Sequence, residues 1–305
     1  MADHQRPEIA GVLPVLAPPF HDDGRLDLDG FEAVCELVLR AGADGALLFG
    51  LASEFYKLTD REREELQRRF LRRFALEPDR VAVVSVTAHA TRVAVEHAVR
   101  AVAEGADAIN LLPPYFLSPS GVDVLGHVEA VLAAVDVPVI VQYAPAQTGT
   151  SLSADMLRKL AVGHSNLTTV KVESQPPGRM VTQLAEHEPR LASIVGYAGL
   201  QLPDTVRRGA VGVQPGCSFT EVYVRLWRHH RDGDVEAFLA LHARLLPYLS
   251  MWMQGVEFII QVEKTILLRR GVIGSDHCRR PGWALDREEL RTIDRFLEEF
   301  ASELG

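Results

Sequence analysis

Short apolar runs alternating with longer amphipathic stretches constrain the fold of this 305-residue chain more than any other feature. Such alternation is typical of βα units, in which helices cover both faces of a parallel sheet. Residues 46–49 (ALLF) and 81–86 (VAVVSV) are apolar on both faces, as covered strands are. Residues 60–74 are a predicted helix, whose first turn Thr59 or Asp60 can cap. The predicted strands are residues 12–17, 45–49, 81–86, 108–112, 137–141, 168–172, 192–195 and 209–213.

Eight βα units in succession can close into a barrel. The structural rival is a doubly wound open sheet, which usually has a glycine-rich phosphate loop after its first strand, and residues 11–24 contain no GxGxxG pattern. We therefore predict an α/β protein with a (β/α)8 TIM barrel and a C-terminal helical extension. The predicted division is a barrel at residues 1–219 and about three helices at residues 220–305, packed on the barrel as one structural unit.

Charge and cysteine usage exclude several classes of partner. The formal net charge of −9 argues against nucleic acid or an anionic membrane as a partner, because both need a concentrated basic surface. The N-terminus lacks a signal-peptide pattern and no apolar run is long enough to span a membrane. The three cysteines are scattered and odd in number, so we expect a protein of the reducing cytoplasm. The cysteines form no CxxC pair and the histidines form no HxH or HExxH motif, so we expect no metal site.

Lys171 is the clearest candidate for chemistry. Active sites of barrels lie at the carboxyl ends of the strands, and Lys171 stands late in the sixth predicted strand. Strand alternation puts Val170 and Val172 against the helices, and Lys171 and Glu173 toward the barrel interior. Burial there disfavours the ammonium form, and a neutral amine attacks carbonyl carbons. The alternative is an ion pair of Lys171 with Glu173 that only fills the interior, and spacing alone leaves both open.

Several motifs in chain order point to one family. They are residues 11–20, residues 24–27, residues 45–58, residues 113–116 and residues 170–171. Over about residues 8–285 the chain resembles the dihydrodipicolinate synthase/N-acetylneuraminate lyase family of class I aldolases. The resemblance implies that Lys171 forms a Schiff base with a small 2-oxo acid and that Tyr115 is an active-site tyrosine. It also implies a homo-oligomer, a tetramer or a dimer, that needs no metal and no organic cofactor.

The chain departs from the family pattern in the loop that binds the substrate carboxylate. Two hydroxyl-bearing residues follow the first glycine of that loop in the family, whereas Leu51 and Ala52 follow Gly50 here. Ser53 and backbone N–H groups are the remaining donors for a carboxylate. Proton relay through a threonine hydroxyl is therefore excluded at this position.

A second group of departures follows the fifth strand. Gln142 stands where the family has a proton-shuttling tyrosine, and an amide cannot exchange a proton in the useful pH range. Tyr143 could take over only after a one-residue shift, which would turn its side chain to the other face. Gln147 replaces a carboxylate-binding arginine, and Gln214, at the end of the eighth strand, is a further candidate for substrate binding. These changes disfavour dihydrodipicolinate synthesis.

Residues 141–146, 270–273 and 279–281 are more similar to the family branch that contains 2-keto-3-deoxy sugar-acid dehydratases. We expect a lyase that dehydrates or cleaves such a 2-oxo acid, with Glu173 as the acid or base. Tyr115, Gln142 and Ser53 would position a hydroxyl or a water. One alternative is a pyruvate-dependent aldolase or synthase. The other is a catalytically impaired homologue that only binds a metabolite.

Overall fold

Strands and helices alternate through the computed structural model of the protein, which describes residues 8–305. Within that range the strands are β1 (Gly11–Val12), β2 (Gly45–Leu48), β3 (Val81–Val86), β4 (Ala108–Leu111), β5 (Val139–Tyr143), β6 (Leu167–Val172), β7 (Ala192–Val195) and β8 (Gly212–Val213). The helices between them are α1 (Leu28–Ala41), α2 (Asp60–Phe74), α3 (Thr91–Ala103), α4 (Gly121–Leu132), α5 (Pro145–Thr148), α6 (Ala154–Gly163), α7 (Gly178–Ala185) and α8 (Leu202–Arg207).

One parallel sheet contains the eight strands of residues 8–305, in the order β1-β8-β7-β6-β5-β4-β3-β2. A parallel bridge between Val15 and Leu47 joins the two ends of this order. The Leu16 N–H also donates to the Leu47 carbonyl oxygen at 2.9 Å. The predicted (β/α)8 barrel is therefore confirmed.

Three predicted strands are wrong by two or more residues at an end, and three more by a single residue. The first run forms only a two-residue strand and the bridge at Val15, since Pro14 in this run has no N–H to donate to a ladder. The eighth run shrinks to Gly212–Val213 because Gly209, with a φ of 99°, belongs to the turn that ends α8. The fifth strand continues to Tyr143, which pairs with Val172. This extension brings Gln142 into the ladder beside β6.

Helix boundaries follow local capping chemistry. Helix α2 spans the predicted residues, and the Glu62 N–H donates to Thr59 Oγ1 at 3.3 Å while the Glu62 carboxylate accepts from the Thr59 N–H at 2.9 Å. Residues 220–305 contain more helices than the expected three. They are α9 (Thr220–Arg231), α10 (Val235–Trp252), α11 (Val256–Arg269), α12 (Arg287–Glu299) and α13 (Ala301–Leu304).

The chain divides into two compact units. One comprises residues 8–10 and Phe74–Val213, and the other comprises Gly11–Arg73 and Gln214–Gly305. The second unit thus contains the first two βα units of the chain together with the C-terminal helices. The expected division at residue 219 stays a prediction, and residues 1–7 lie outside the described part of the chain. No helix in residues 8–305 has the length and apolarity that a membrane span needs.

Candidate active site

Lys171 lies in the interior of the first unit, on the strand β6. Its neighbours Val170 and Val172 are fully buried, and the lysine itself is only 3% exposed. Backbone pairing places Lys171 beside Gln142 of β5 and Ile194 of β7. The Lys171 side chain is therefore buried rather than exposed to bulk water, as the alternation of the strand predicts.

Glu173 is the ion-pair partner of this amine. The carboxylate is 8% exposed, and its Oε1 lies 3.5 Å from the Lys171 Nζ. The Glu173 N–H donates to the Tyr143 carbonyl oxygen at 2.8 Å, so the residue continues the ladder just beyond the end of β6. Because the two side chains are two residues apart on a strand, they lie on one face.

A chain of polar side chains crosses four neighbouring strands and ends at this carboxylate. Asn110 Nδ2 donates to Ser85 Oγ and to Gln142 Oε1, both at 3.0 Å. Gln142 Nε2 in turn donates to Glu173 Oε2 at 2.7 Å. Both polar atoms of the Gln142 amide are thus engaged, and Gln142 orients Glu173. One carboxylate oxygen is fixed by this amide, and the other faces Lys171.

Gly196, just after β7, leaves the space that the Glu173 carboxylate occupies. A Cβ atom at Gly196 would lie 2.2 Å from Glu173 Oε1, which is far inside contact distance. The φ of Gly196 is −90°, a value open to any residue. Close approach of the carboxylate, rather than backbone conformation, is therefore the reason for glycine here.

Gly196→Ala is expected to lower the free energy of unfolding by about 1–3 kcal/mol, because the new methyl group must displace a buried carboxylate from its partners. Urea denaturation measures this change. The matched control is Gly126→Ala in α4, where an added Cβ meets no atom of the described residues within 4 Å. That substitution should stabilise the helix by up to about 1 kcal/mol. Equal stability of Gly196→Ala and the wild type would contradict the steric argument.

Gln147 and Tyr197 join two loops of the first unit. Gln147 lies in α5, directly after β5, and its Nε2 donates a hydrogen bond to the Tyr197 hydroxyl oxygen. Burial raises the pKa of Tyr197, the hydrogen bond from Gln147 lowers it, and the charge of Glu173 raises it again. The expected substrate-binding role of Gln147 stays a prediction, while its observed partner is a tyrosine that the sequence did not single out.

Tyr115 lies half-buried in the loop after β4. Its ring packs edge-on against the ring of His89, with centroids 4.6 Å apart. His89 Nδ1 accepts from the N–H groups of Tyr115 and Phe116 at 3.4 Å. Burial lowers the pKa of His89, which favours the neutral ring that can accept these bonds. Tyr143, also half-buried, is the last residue of β5, and alternation turns its side chain away from the Gln142 face.

The loop of residues 50–53 belongs to the second unit and forms a short 3-10 turn, Leu51–Ser53. Gly50 is required there, because a Cβ would lie 2.7 Å from a methyl carbon of Val15. The Ser53 hydroxyl donates to the Leu16 carbonyl oxygen at 2.6 Å. The first N–H groups of such a turn, at Leu51 and Ala52, have no acceptor within the turn itself. Backbone donors are therefore better placed than Ser53 to bind an anion.

A buried charge network fixes the far end of this loop. Glu54 has a φ of 50° and is fully buried. Its carboxylate pairs with Lys57 Nζ at 2.9 Å and with Lys264, a fully buried lysine of α11. Lys57 also pairs with Glu257 at 2.5 Å. Two of the four lysines of the chain are thus held by carboxylates of the second unit.

Two buried amides carry polar atoms that have no hydrogen-bond partner within residues 8–305. They are Asn110, through Oδ1, and Gln214, through both Oε1 and Nε2. Gln214 follows β8 and is 3% exposed. Buried polar groups are nearly always hydrogen-bonded in native proteins. An unpaired buried amide is therefore suited to bind a polar ligand, and the substrate-binding role of Gln214 stays a prediction.

Sequence reasoning missed four residues of this arrangement, namely Ser85, Asn110, Gly196 and Tyr197. Ser85 and Asn110 are polar residues inside apolar strands, which is a usable signal. The pattern Gly196-Tyr197-Ala198-Gly199 after the seventh apolar run is another. Neither signal specifies a partner, because the contacts arise only when neighbouring strands pair.

Comparison with known families gives a match over nearly the whole chain. The profile of the dihydrodipicolinate synthetase family matches residues 8–300. The L-2-keto-3-deoxyarabonate dehydratase of Azospirillum brasilense is 28% identical over 312 residues, covering 98% of this chain and 97% of that protein. The 4-hydroxy-tetrahydrodipicolinate synthase of Acidothermus cellulolyticus is 32% identical over 248 residues, covering 80% and 79% of the two chains.

A solved structure of a member of this family is similar to the chain over nearly its whole length. YagE from Escherichia coli K12, a prophage protein of the dihydrodipicolinic acid synthase family determined in complex with pyruvate, superposes with a TM-score of 0.87 at 26% identity. The superposition covers 96% of this chain and 99% of YagE. The name of YagE assigns it to the 2-dehydro-3-deoxy-D-gluconate aldolases. Sequence and fold therefore agree across the length of the chain.

Proposed function

The chain belongs to the dihydrodipicolinate synthetase family, and on that premise we propose that it is a lyase that dehydrates a 2-keto-3-deoxy sugar acid through a Schiff base on Lys171. The observation that carries the proposal is the buried Lys171 amine with the Glu173 carboxylate 3.5 Å away. An amine that forms an imine and a base beside it are two of the groups that this chemistry requires.

The proposed reaction begins when the Lys171 amine adds to the C2 ketone and water leaves. The resulting imine withdraws electrons and acidifies the C3–H bonds. C3 is two bonds from the imine nitrogen, so a carboxylate beside that nitrogen is within reach of its protons. Glu173 Oε1 takes a C3 proton, and the enamine expels the C4 hydroxyl. The electron sink is the imine itself, so this mechanism uses no metal.

Binding of the rest of the substrate is proposed from the family resemblance. The N–H groups of Leu51 and Ala52, next to Gly50, are proposed to bind its carboxylate. Gln214, with its unpaired amide, and Gln147 are proposed to contact its hydroxyl groups. Roles for Tyr115, Tyr143 and Ser53 stay predictions, as do the homo-oligomer and the cytoplasmic location.

Aldol cleavage is the second candidate, since it passes through the same imine and enamine. The relatives favour it as well as dehydration, because a dehydratase and an aldolase of 2-keto-3-deoxy acids are both similar to this chain. Product analysis separates the two reactions. Dehydration gives one product that retains every carbon, whereas cleavage gives two fragments. Dihydrodipicolinate synthesis is disfavoured by the glutamines at positions 142 and 147 and by the loop of residues 50–53.

Borohydride trapping tests the proposal directly. The protein is incubated with pyruvate, reduced with sodium borohydride and mapped by peptide mass spectrometry. The chain contains only four lysines, Lys57, Lys159, Lys171 and Lys264. Lys57 and Lys264 are tied to carboxylates, and Lys159 is exposed on α6. We expect the label on Lys171, because it is the buried lysine of the strand ladder.

A label on another lysine, or none with a panel of 2-oxo acids, would contradict the proposal. Turnover is measured with 2-keto-3-deoxy-L-arabonate, 2-dehydro-3-deoxy-D-gluconate and 2-dehydro-3-deoxy-D-pentonate. Binding of these acids without an imine and without turnover would instead favour a homologue that only binds a metabolite.

A further inference from the structure

The loop after β7 holds a tyrosine in an unusual backbone conformation. Tyr197 and Ala198 have φ values of 49° and 50°, in the left-handed region that residues with a Cβ rarely occupy. Such strained conformations persist where the surroundings over-determine them. The loop therefore fixes the direction of the Tyr197 side chain.

The position of the Tyr197 hydroxyl is defined by its partner. The hydroxyl oxygen accepts a hydrogen bond from Gln147 Nε2. Gln147 follows β5 and Tyr197 follows β7, and these two strands flank β6 in the sheet. The link between them therefore crosses the carboxyl end of the strand that carries Lys171. Because the oxygen accepts this bond, the phenolic proton stays available for donation.

Glu173 lies next to the same loop. Its carboxylate fills the space beside Gly196, the residue before Tyr197, and its charge contributes to the electrostatic environment of the phenol. Burial, the largest effect, raises the pKa of Tyr197 above its ordinary value. The phenol is therefore protonated at neutral pH, as an acid must be before it donates.

Dehydration needs a group that protonates the departing C4 hydroxyl. Gln142, in the position of the family's proton-shuttling tyrosine, has no exchangeable proton in the useful range, and Glu173 is used as the base at C3. We propose that Tyr197, oriented by Gln147, is the general acid that donates a proton to the C4 oxygen of the substrate. This inference rests on the proposed function.

Glu173 and Tyr197 accept and supply the protons that move in this step. The C3–H bond breaks and its proton passes to Glu173, while the C3 electron pair forms the C3–C4 double bond. The C4–O bond breaks and the leaving oxygen takes the Tyr197 proton, which gives water and a tyrosinate. Proton transfer from Glu173 to Tyr197, directly or through water, restores both groups. A second water hydrolyses the imine and frees the Lys171 amine.

Tyr197→Phe separates this role from imine and enamine formation. We expect kcat for dehydration of 2-keto-3-deoxy-L-arabonate to fall by about 10²- to 10⁴-fold, the usual contribution of a positioned acid. Pyruvate has no C4 oxygen, so two reactions with pyruvate should stay near the wild-type level. These are borohydride labelling of Lys171 and exchange of the methyl protons for deuterium. Gln147→Ala should reduce kcat less, because the phenol remains but loses its orienting bond.

The matched control is Tyr248→Phe, which removes a tyrosine hydroxyl that bonds to Glu299 in the C-terminal helices. It should leave dehydration unchanged. Undiminished dehydration by Tyr197→Phe, with Lys171 labelled in the wild type, overturns the role of Tyr197 alone. A large loss in Tyr115→Phe or Tyr143→Phe, and none in Tyr197→Phe, moves the acid to that tyrosine. Absence of the Lys171 label in the wild type overturns the proposed function itself.

Discussion

Lys171→Met is expected to lower kcat/KM by about 10⁴-fold or more, the scale on which loss of a covalent nucleophile acts. The thioether cannot form an imine, so the C3 protons are never acidified. Turnover of the 2-keto-3-deoxy acids and borohydride labelling with pyruvate both measure the change, and labelling should disappear.

Two further variants make this result specific. Lys159→Met removes an exposed lysine of α6 and should retain wild-type turnover. Lys171→Arg keeps a positive charge beside Glu173 but has no amine that forms an imine. It should be inactive even if Lys171→Met is destabilised by the loss of the ion pair, and circular dichroism checks that it is folded. Substantial turnover in a folded Lys171→Arg protein would show that the covalent step occurs elsewhere.

Glu173→Gln is expected to lower kcat by about 10²- to 10⁴-fold. The substitution keeps the size of the side chain, but an amide cannot take the C3 proton. Exchange of the pyruvate methyl protons for deuterium should be lost, because it needs the same base. Labelling of Lys171 with borohydride should persist, since imine formation does not depend on removal of a C3 proton.

This combination distinguishes a base from a structural partner of Lys171. If Glu173 only held the lysine in place, the substitution would weaken labelling and exchange together. Exchange at the wild-type rate in Glu173→Gln would refute the assignment. The matched control is Glu186→Gln, an exposed glutamate at the end of α7, which should leave both measurements unchanged.

Local rules were sufficient for much of the fold. The apolar runs predicted eight strands because residues buried on both faces of a sheet must be apolar wherever the strand pairs. Helix α2 has its predicted bounds because Thr59 and Glu62 cap it within four residues of chain. Strand ends were less predictable. β5 reaches Tyr143 because β6 offers a partner there, and that partner is distant in the sequence.

The candidate site also divides into features that the local sequence predicts and features that contacts between distant residues decide. The sequence alone predicted that Lys171 and Glu173 share the inward face of β6, since the period of a strand is two residues wherever it lies. Only the tertiary structure decided what Glu173 contacts. Its bond to Gln142 spans 31 residues and the bond between Gln147 and Tyr197 spans 50. Strand order, register and loop conformation bring such residues together, and these depend on the packing of the whole sheet rather than on any local segment.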